Sequence, residues 1–187
     1  MNKKTDEQIA VQVQRGDREA FGQIIDRYEV ALIRYVSRIL GDHEAAEDVT
    51  QEAFLKSYRD IQSFDGRRKF SSWLYRIAHN EAIDYIRKNK RVVTLEEAGT
   101  VASEEDLHGA AQKKIDRYSL RKRLDAAIGN ISAKYRETVI LRFYEEKEYD
   151  EIADILRIPI GTVGTYISRA KTELRTYLGD INLGDFL

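Results

Sequence analysis

Residues 157–177 concentrate side chains that could bind an anionic polymer, with four basic groups against one acidic group. If this segment is helical, its outward positions carry hydroxyls and cations that can bond to phosphates and to base edges. These positions are Thr162, Thr165, Tyr166, Ser168, Arg169, Thr172 and Arg175. Lys171 adds a charge that can reach phosphate or guanine. The pattern indicates DNA binding, and the solvated face of an ordinary helical hairpin is the alternative.

A helix-turn-helix over residues 150–175 would position those groups. Ile152 and Leu156 put apolar side chains on one face of a short first helix. Pro159 and Gly161 then predict a tight turn, because proline fixes φ and glycine accepts unusual backbone angles. The second helix has apolar residues spaced 4, 3, 4 and 4 apart, namely Val163, Ile167, Ala170, Leu174 and Leu178. Two helices joined by so brief a turn cross steeply, which lets the second enter a major groove.

A second basic segment, residues 66–91, combines eight basic and two acidic side chains with aromatic residues. Single-stranded nucleic acid needs cations for its phosphates and an aromatic or polar pocket for its unstacked bases. The polar stripe of the predicted helix consists of Arg76, Asn80, Asp84, Arg87 and Lys88. Asn80 can offer a base edge both a donor and an acceptor. For Arg87, Lys88, Lys90 and Arg91, phosphate contact is favoured over a solvated face.

The aromatic residues of this segment allow two interpretations. Trp73 and Tyr75 lie so close in sequence that, on a helix, they are not expected to face the same core. For Trp73, a buried anchor in the core is favoured over direct stacking on a base.

The preceding helix has the opposite charge. Its acidic face consists of Glu44, Glu47, Asp48, Gln51 and Glu52, with Phe54 and Leu55 beside it. Such a face repels DNA, so a partner bound there is expected to be a protein. An ordinary solvated helix surface is the alternative.

Helical periodicity predicts an all-α fold of two small domains. In the first, over residues 5–91, helices are expected at 21–40, 44–61 and 71–89. Gly41 is expected to end the first of them, and Ser71 to cap the third. A second, four-helix domain is expected at about 115–178, with Ser132 as a helix N-cap.

Residues 92–114 break the helical pattern. They contain small residues, two glycines and five acids without a sustained apolar stripe, as is typical of a flexible linker. A short helix near 102–112 is possible there. The predicted domains are therefore 1–91 and 115–187, with 92–114 between them.

The composition excludes several classes of protein. With no cysteine among 187 residues, disulfides and thiolate zinc sites are ruled out. His43, His79 and His108 lie in separate segments, so we expect no metal, no cofactor and no catalytic constellation. No signal peptide and no apolar run of roughly 20 residues is found, so a cytoplasmic protein without direct membrane insertion is expected.

Two motifs resemble those of one protein family in the order in which that family carries them. AEDVTQEAFLKSYRDIQSF at 46–64 and FSSWLYRIAHNEAIDYIRK at 70–88 resemble region 2 of an extracytoplasmic-function (ECF) sigma factor. YRETVILRFYEEKEYDEIADILRIPIGTVGTYISRAKTELR at 135–175 resembles region 4. The resemblance implies a dissociable initiation subunit of bacterial RNA polymerase and no enzymatic activity of its own.

The resemblance also implies roles for particular residues. The α-helix with Asp48, Gln51, Glu52, Phe54 and Leu55 would dock on a coiled coil of the largest polymerase subunit. Capture and melting of the promoter −10 element would fall to Lys69, Trp73, Tyr75, Arg76, Asn80, Asp84, Arg87, Lys88 and Arg91, with Asn80 near a flipped-out base. The −35 element would be read by Thr162, Thr165, Tyr166, Ser168, Arg169 and Lys171. The acidic linker would run towards the RNA-exit side of the polymerase.

Three departures from the family pattern bear on function. Gly164 stands where many relatives have Lys or Arg, and glycine inside a helix costs about 1 kcal/mol relative to alanine. Tyr166 stands where Arg or Leu is frequent, so the −35 preference is expected to be unusual. Glu148 occupies the usual Ser or Thr cap position, and Asp150 is expected to cap that helix instead. Without a large C-terminal sensor domain, regulation is expected from another protein, an anti-sigma factor.

Two other functions remain open from the residues alone. A transcriptional regulator that binds DNA without joining polymerase would explain residues 150–175, but it gives the acidic helix and the basic aromatic helix no role. A DNA-processing enzyme such as a recombinase would need a catalytic constellation, and none is apparent.

Overall fold

The computed structural model describes residues 4–93 and 123–178, apart from the side chains of residues 90–93, and every regular element in these ranges is helical. Eight α-helical segments are described: α1 Asp6–Gln14, α2 Gly22–Leu40, α3 His43–Arg59, α4 Phe70–Val93, α5 at 123–130, α6 Ala133–Val139, α7 Tyr149–Leu156 and α8 Ile160–Leu178. Short 3₁₀ turns at Glu19–Phe21 and Ile61–Ser63 and a π turn at Ile140–Tyr144 complete them. The all-α prediction is confirmed. The possible helix at 102–112 lies outside the described residues.

The N-terminal unit, residues 4–93, is built around α4, which packs against α1, α2 and α3. Gly41 adopts a left-handed conformation with φ 75° and ends α2, as predicted. Asp42 then starts α3 by accepting a hydrogen bond from the Ala45 N–H at 3.1 Å. Helix α1 was not predicted from the sequence, although Thr5 and Gln8 form the capping box that marks a helix start.

The cap of α4 comes from another helix, so the assignment of Ser71 as its N-cap is wrong. The helix begins at Phe70, whose N–H donates to Glu7 Oε1 of α1 at 3.0 Å. Ser71 therefore lies inside the first turn. A glutamate at this end also interacts favourably with the helix dipole.

The C-terminal unit, residues 123–178, contains the predicted helix-turn-helix as α7 and α8. Arg157, with φ 53°, makes the left-handed step between them, and Gly161 already lies in the first turn of α8. The role given to Gly161 in the turn was therefore wrong. Glu148 is the N-cap residue of α7, and its N–H donates to Glu151 Oε2 at 3.1 Å. Asp150 lies inside that helix rather than capping it.

The π turn Ile140–Tyr144 shapes the core of this unit. It follows α6 directly, and both Ile140 and Leu141 are fully buried, together with Ile152 and Leu174 from α7 and α8. Ser132 precedes α6 as its N-cap residue, but its hydroxyl makes no capping hydrogen bond. This core holds α8 so that its polar face points outwards.

Candidate nucleic-acid interface

The polar stripe of α4 divides into two halves. Asn80, Arg87 and Lys88 are exposed, and Arg87 pairs with Asp84 one turn earlier at 3.0 Å. Arg76, one turn before Asn80, is mostly covered. The C-terminal half of the stripe thus presents an amide and cations to solvent, and the N-terminal half does not. Arg91 lies on α4, but its side chain is outside the description.

Both aromatic residues of this segment are buried, on different sides of α4. Trp73 is 8% exposed and packs against Phe64 and Phe70, with ring centroids 5.5 and 5.4 Å away. Tyr75 is 3% exposed and packs on Tyr28 and Tyr35 of α2. The two rings face different neighbours, as expected for their spacing, yet neither lies open to a base in this conformation.

Carboxylates of α7 pair with three cations near the start of α4, of which Arg76 is mostly covered while Arg68 and Lys69 remain more than half exposed. Arg76 Nη1 lies 2.9 Å from Asp154 Oδ1, and Arg68 Nη1 lies 3.4 Å from the same oxygen. Lys69 Nζ is 3.2 Å from Glu151 Oε2. We call these five residues the α4–α7 ion cluster. Three cations at the start of α4 are thus paired with acids from the helix-turn-helix.

The contact between the two units continues through a buried glutamate. Tyr75 Oη donates to Glu145 Oε2 at 2.7 Å, and Arg38 Nη1 approaches the other oxygen of Glu145 only to 3.9 Å. Lys147 Nζ sits 4.3 Å from the Tyr75 ring centroid. Burial lowers the pKa of Lys147 and raises that of Tyr75. These contacts link α2 and α4 of the N-terminal unit to the segment between the π turn and α7.

His79 adds a second buried polar group to this contact. Its Nδ1 lies 3.0 Å from Tyr35 Oη, and its Nε2 lies 3.8 Å from Glu137 Oε2. Burial lowers the pKa of His79 to about 4 and raises the pKa of Glu137 to about 7. Burial therefore disfavours the charged form of both groups.

The acidic face of α3 is exposed as a whole. Asp48, Gln51 and Glu52 point to solvent, and Leu55 beside them is 59% exposed. Phe54, predicted with them, is instead buried in the core of the N-terminal unit. The face thus combines acids with one exposed apolar side chain.

The outward face of α8 carries most of the predicted side chains. Thr165, Ser168 and Arg169 are exposed, whereas Thr162 and Tyr166 are half-buried. Arg169 Nη1 lies 3.4 Å from Tyr135 Oη, and the Tyr135 ring packs edge-on against Tyr166 at 5.3 Å.

Lys171 and Gly164 also lie on α8. Lys171 Nζ lies 5.4 Å from the Phe143 ring centroid of the π turn. A Cβ added to Gly164 would meet Tyr149 at 3.6 Å, which is ordinary contact. The position would therefore accommodate a larger residue, so lack of space does not explain why it is a glycine.

Sequence reasoning missed the residues of the contact between the units. Glu145, Asp154 and Tyr135 were not assigned roles, because each acts through a partner more than 30 positions away. The apolar periodicity of a single helix gives no indication of a pairing between residues so far apart in sequence.

Within the described ranges, no group of three or more His, Cys, Asp or Glu side chains could hold a metal ion. In the same ranges, no helix has the length and apolarity required to cross a membrane.

Family models match both units of the chain. The model for sigma-70 region 2 matches residues 24–92, and the model for sigma-70 region 4 matches residues 121–174. The chain is 40% identical to the ECF RNA polymerase sigma factor SigW of Bacillus subtilis (strain 168) over 179 residues, which cover 91% of this chain and 95% of that protein. The chain belongs to the ECF sigma factors.

Other relatives agree with this assignment. The ECF RNA polymerase sigma-E factor of Escherichia coli (strain K12) is 34% identical over 177 residues, covering 91% of this chain and 92% of that protein. The sigma factor RpoE of Bartonella quintana, solved in complex with the anti-sigma factor NepR, superimposes with a TM-score of 0.70 at 25% identity, covering 87% and 98% of the two chains. The sigma factor function is thus supported over that of a regulator acting without polymerase, and the protein is a transcription initiation factor.

Proposed function

We propose that this ECF sigma factor joins core RNA polymerase through α3, opens the −10 element on α4 and reads the −35 element with α8. One observation carries the proposal: exposed Asn80 and the exposed acidic face of α3 lie on neighbouring helices within the region 2 match. The proposed protein-binding face and the proposed base-binding group would thereby lie on two helices that pack together. The test is RNA synthesis by purified core polymerase on candidate promoters, which should start at defined sites only when this protein is added.

The proposed −10 surface is the polar stripe of α4. Arg87 and Lys88 would hold phosphates, Asn80 would bond to an unpaired base, and Lys69 and Arg76 would extend the cationic track once their acid partners move away. Trp73 and Tyr75 would support this surface by packing beneath it. Asp84 would orient Arg87, and Arg91 would continue the track.

We expect Asn80→Ala to impair open-complex formation more than first promoter engagement. Loss of an amide that forms hydrogen bonds with a base edge lowers the binding free energy by about 1–3 kcal/mol. On a pre-melted template, the variant should regain much of its transcription but not its base preference. Asn89→Ala, which truncates another exposed asparagine of α4, is the matched control and should behave like wild type. An equal defect on duplex and pre-melted DNA would instead assign Asn80 a structural role.

The proposed −35 surface is the outward face of α8, with Thr162, Thr165, Tyr166, Ser168, Arg169 and Lys171. Tyr135 would orient Arg169 by its hydroxyl. The half-buried Tyr166 packs on Tyr135, so it would act on the shape of the surface more than by direct contact with a base.

We expect Arg169→Ala and Lys171→Ala to affect DNA binding in different ways. Arg169→Ala should lower the free energy of binding to the −35 element by about 1–3 kcal/mol. It should also relax the base preference at one −35 position, as loss of a bidentate base contact does. Lys171→Ala should weaken binding to all sequences alike, as loss of a phosphate contact does. Promoter output from a library with a randomised −35 element separates the two. Identical sequence profiles for wild type and Arg169→Ala would remove the base-reading role.

The remaining assignments extend the same proposal. Region 2 would occupy residues 1–91, region 4 residues 115–187, and residues 92–114 would run between them through the polymerase, although α4 itself continues to Val93. The protein would act in the cytoplasm. An anti-sigma factor is proposed as the inhibitor, because the RpoE structure was solved with such a partner.

A further inference from the structure

We infer that a groove along α1 binds a second unpaired base of the melted promoter, near the base that Asn80 holds. The inference rests on the proposed −10 surface and adds a further base site to it. The groove has a volume of about 470 Å³ and lies between the outward face of α1 and Gly66, in the segment before α4. This volume falls within the range of about 300–1,000 Å³ that is usual for small-ligand sites. The groove is therefore large enough for a nucleobase.

A buried amide oxygen in this groove is the group that points to a base. Gln12 lines the groove, and its Oε1 is buried without a hydrogen-bond partner among the described residues. A buried acceptor of this kind costs free energy until a donor reaches it. Unpaired adenine, cytosine and guanine each carry an amino group that can donate to it, whereas thymine carries no amino group. The groove therefore favours a base with an amino group over thymine.

The other walls of the groove suit the remaining parts of a nucleotide. Val11 offers an apolar contact to the face of a base. A Cβ added to Gly66 would come within 3.3 Å of Val11 Cγ2, so the glycine keeps the groove open beside this valine. Lys4, before α1, and Arg15, at its end, are both exposed and line the groove. These two cations can bind the phosphates on either side of the base.

Side chains of α1 fix the groove to the segment that leads into α4. Gln14 Nε2 donates to the backbone oxygens of Ile61 at 2.8 Å and Phe64 at 2.9 Å. Glu7, which also lines the groove, accepts a hydrogen bond from the Phe70 N–H at 3.0 Å. The two sides of the groove are thus held together before a ligand arrives, which lowers the entropic cost of binding.

The groove continues the proposed −10 surface. From Asn80 to Phe70 the polar stripe runs about 15 Å along α4, at about 1.5 Å per residue. Arg67 and Arg68 lie in the chain between the start of α4 and Gly66, and both side chains are more than half exposed. A single strand that leaves Asn80 towards the start of α4 would therefore pass these cations before it reaches the groove.

Base preference on a pre-melted template tests the inference with the full chain and core polymerase. The template is a promoter bubble in which the bases of one melted strand at a time are randomised, and the transcript yield is measured for each base. Wild type should disfavour thymine at one position near the base read by Asn80, and Gln12→Ala should reduce that preference at least about fivefold. Gln23→Ala, which truncates an exposed glutamine of α2, is the matched control and should keep the wild-type profile. An unchanged profile for Gln12→Ala would overturn the inference.

A stability measurement separates base reading from a structural role of Gln12. Truncation removes an unsatisfied buried acceptor, so Gln12→Ala should unfold at the same urea concentration as wild type or at a higher one. A lower urea midpoint, together with an equal loss of transcription for every base, would show a structural role and overturn the inference.

A cross-link identifies what occupies the groove. The chain contains no cysteine, so Arg15→Cys places a single thiol at the groove for a benzophenone maleimide. In the complex of polymerase with the same bubble, this variant should cross-link to melted DNA. Arg34→Cys, which replaces an exposed arginine of α2, is the matched control and should not. Cross-linking of Arg15→Cys to a polymerase subunit alone would show a protein in the groove and overturn the inference.

The same experiments distinguish failure of the groove from failure of the proposed function. If Asn80→Ala loses its base preference while Gln12→Ala behaves like wild type, the groove inference is wrong and the proposed −10 surface stands. If wild type starts no transcription with core polymerase, the proposed function is wrong and the inference falls with it.

Discussion

Replacing Asp48, Gln51 and Glu52 together with alanine is expected to abolish association with core polymerase. At about 1–2 kcal/mol for each truncated interface residue, the affinity should fall by about 10²–10⁴-fold. All three side chains are exposed on α3, so their truncation opens no cavity and should leave the N-terminal unit folded. The measurement is co-purification with core polymerase, together with promoter-dependent transcription.

The neighbouring helix offers a matched control for this experiment. Gln23, Asp26 and Glu29 of α2 are also exposed and have the same chemical composition, one amide and two acids. Their triple alanine variant should bind polymerase like wild type. If the α3 variant is folded by circular dichroism and still associates normally, the α3 face is not the polymerase-binding surface.

Phe70→Ala is expected to lower the free energy of unfolding of the N-terminal unit by about 3–5 kcal/mol. Phe70 is fully buried at the start of α4, and its ring packs against Phe64 at 5.1 Å and Trp73 at 5.4 Å. Removing the ring leaves a cavity and deprives Phe64 of an edge-on partner and Trp73 of a tilted one. Urea unfolding can be followed by the fluorescence of Trp73, the one tryptophan of the sequence.

An exposed apolar residue is the control for the Phe70 experiment. Val30 on α2 is 67% exposed, so Val30→Ala should change the free energy of unfolding by no more than about 0.5 kcal/mol. A loss below about 1 kcal/mol for Phe70→Ala would mean that the aromatic cluster does not stabilise the start of α4. The −10 surface would then depend on other contacts for its position.

The sequence by itself determined the elements that carry the site. The 3.6-residue period predicted α2, α3, α4 and α8, because burying one face of a helix requires apolar residues at that spacing. Gly41 was recognised as a helix end for an equally local reason, since few other residues accept a positive φ. The polar residues on the opposite faces of α3, α4 and α8 followed from the same period, and Asn80, Asp48 and Arg169 are indeed exposed.

Only the tertiary structure decided how those faces are used in this conformation. Glu7 caps α4 across 63 positions, and Asp154 reaches Arg76 across 78. Pairings of this kind depend on how helices pack together. The local sequence does not show which of the many acids on a polar face will pair with a distant residue. Tyr75 is buried for the same reason: its ring meets α2, and its hydroxyl meets Glu145 of the C-terminal unit. Periodicity shows which face of a helix is polar, but packing determines which part of that face is covered.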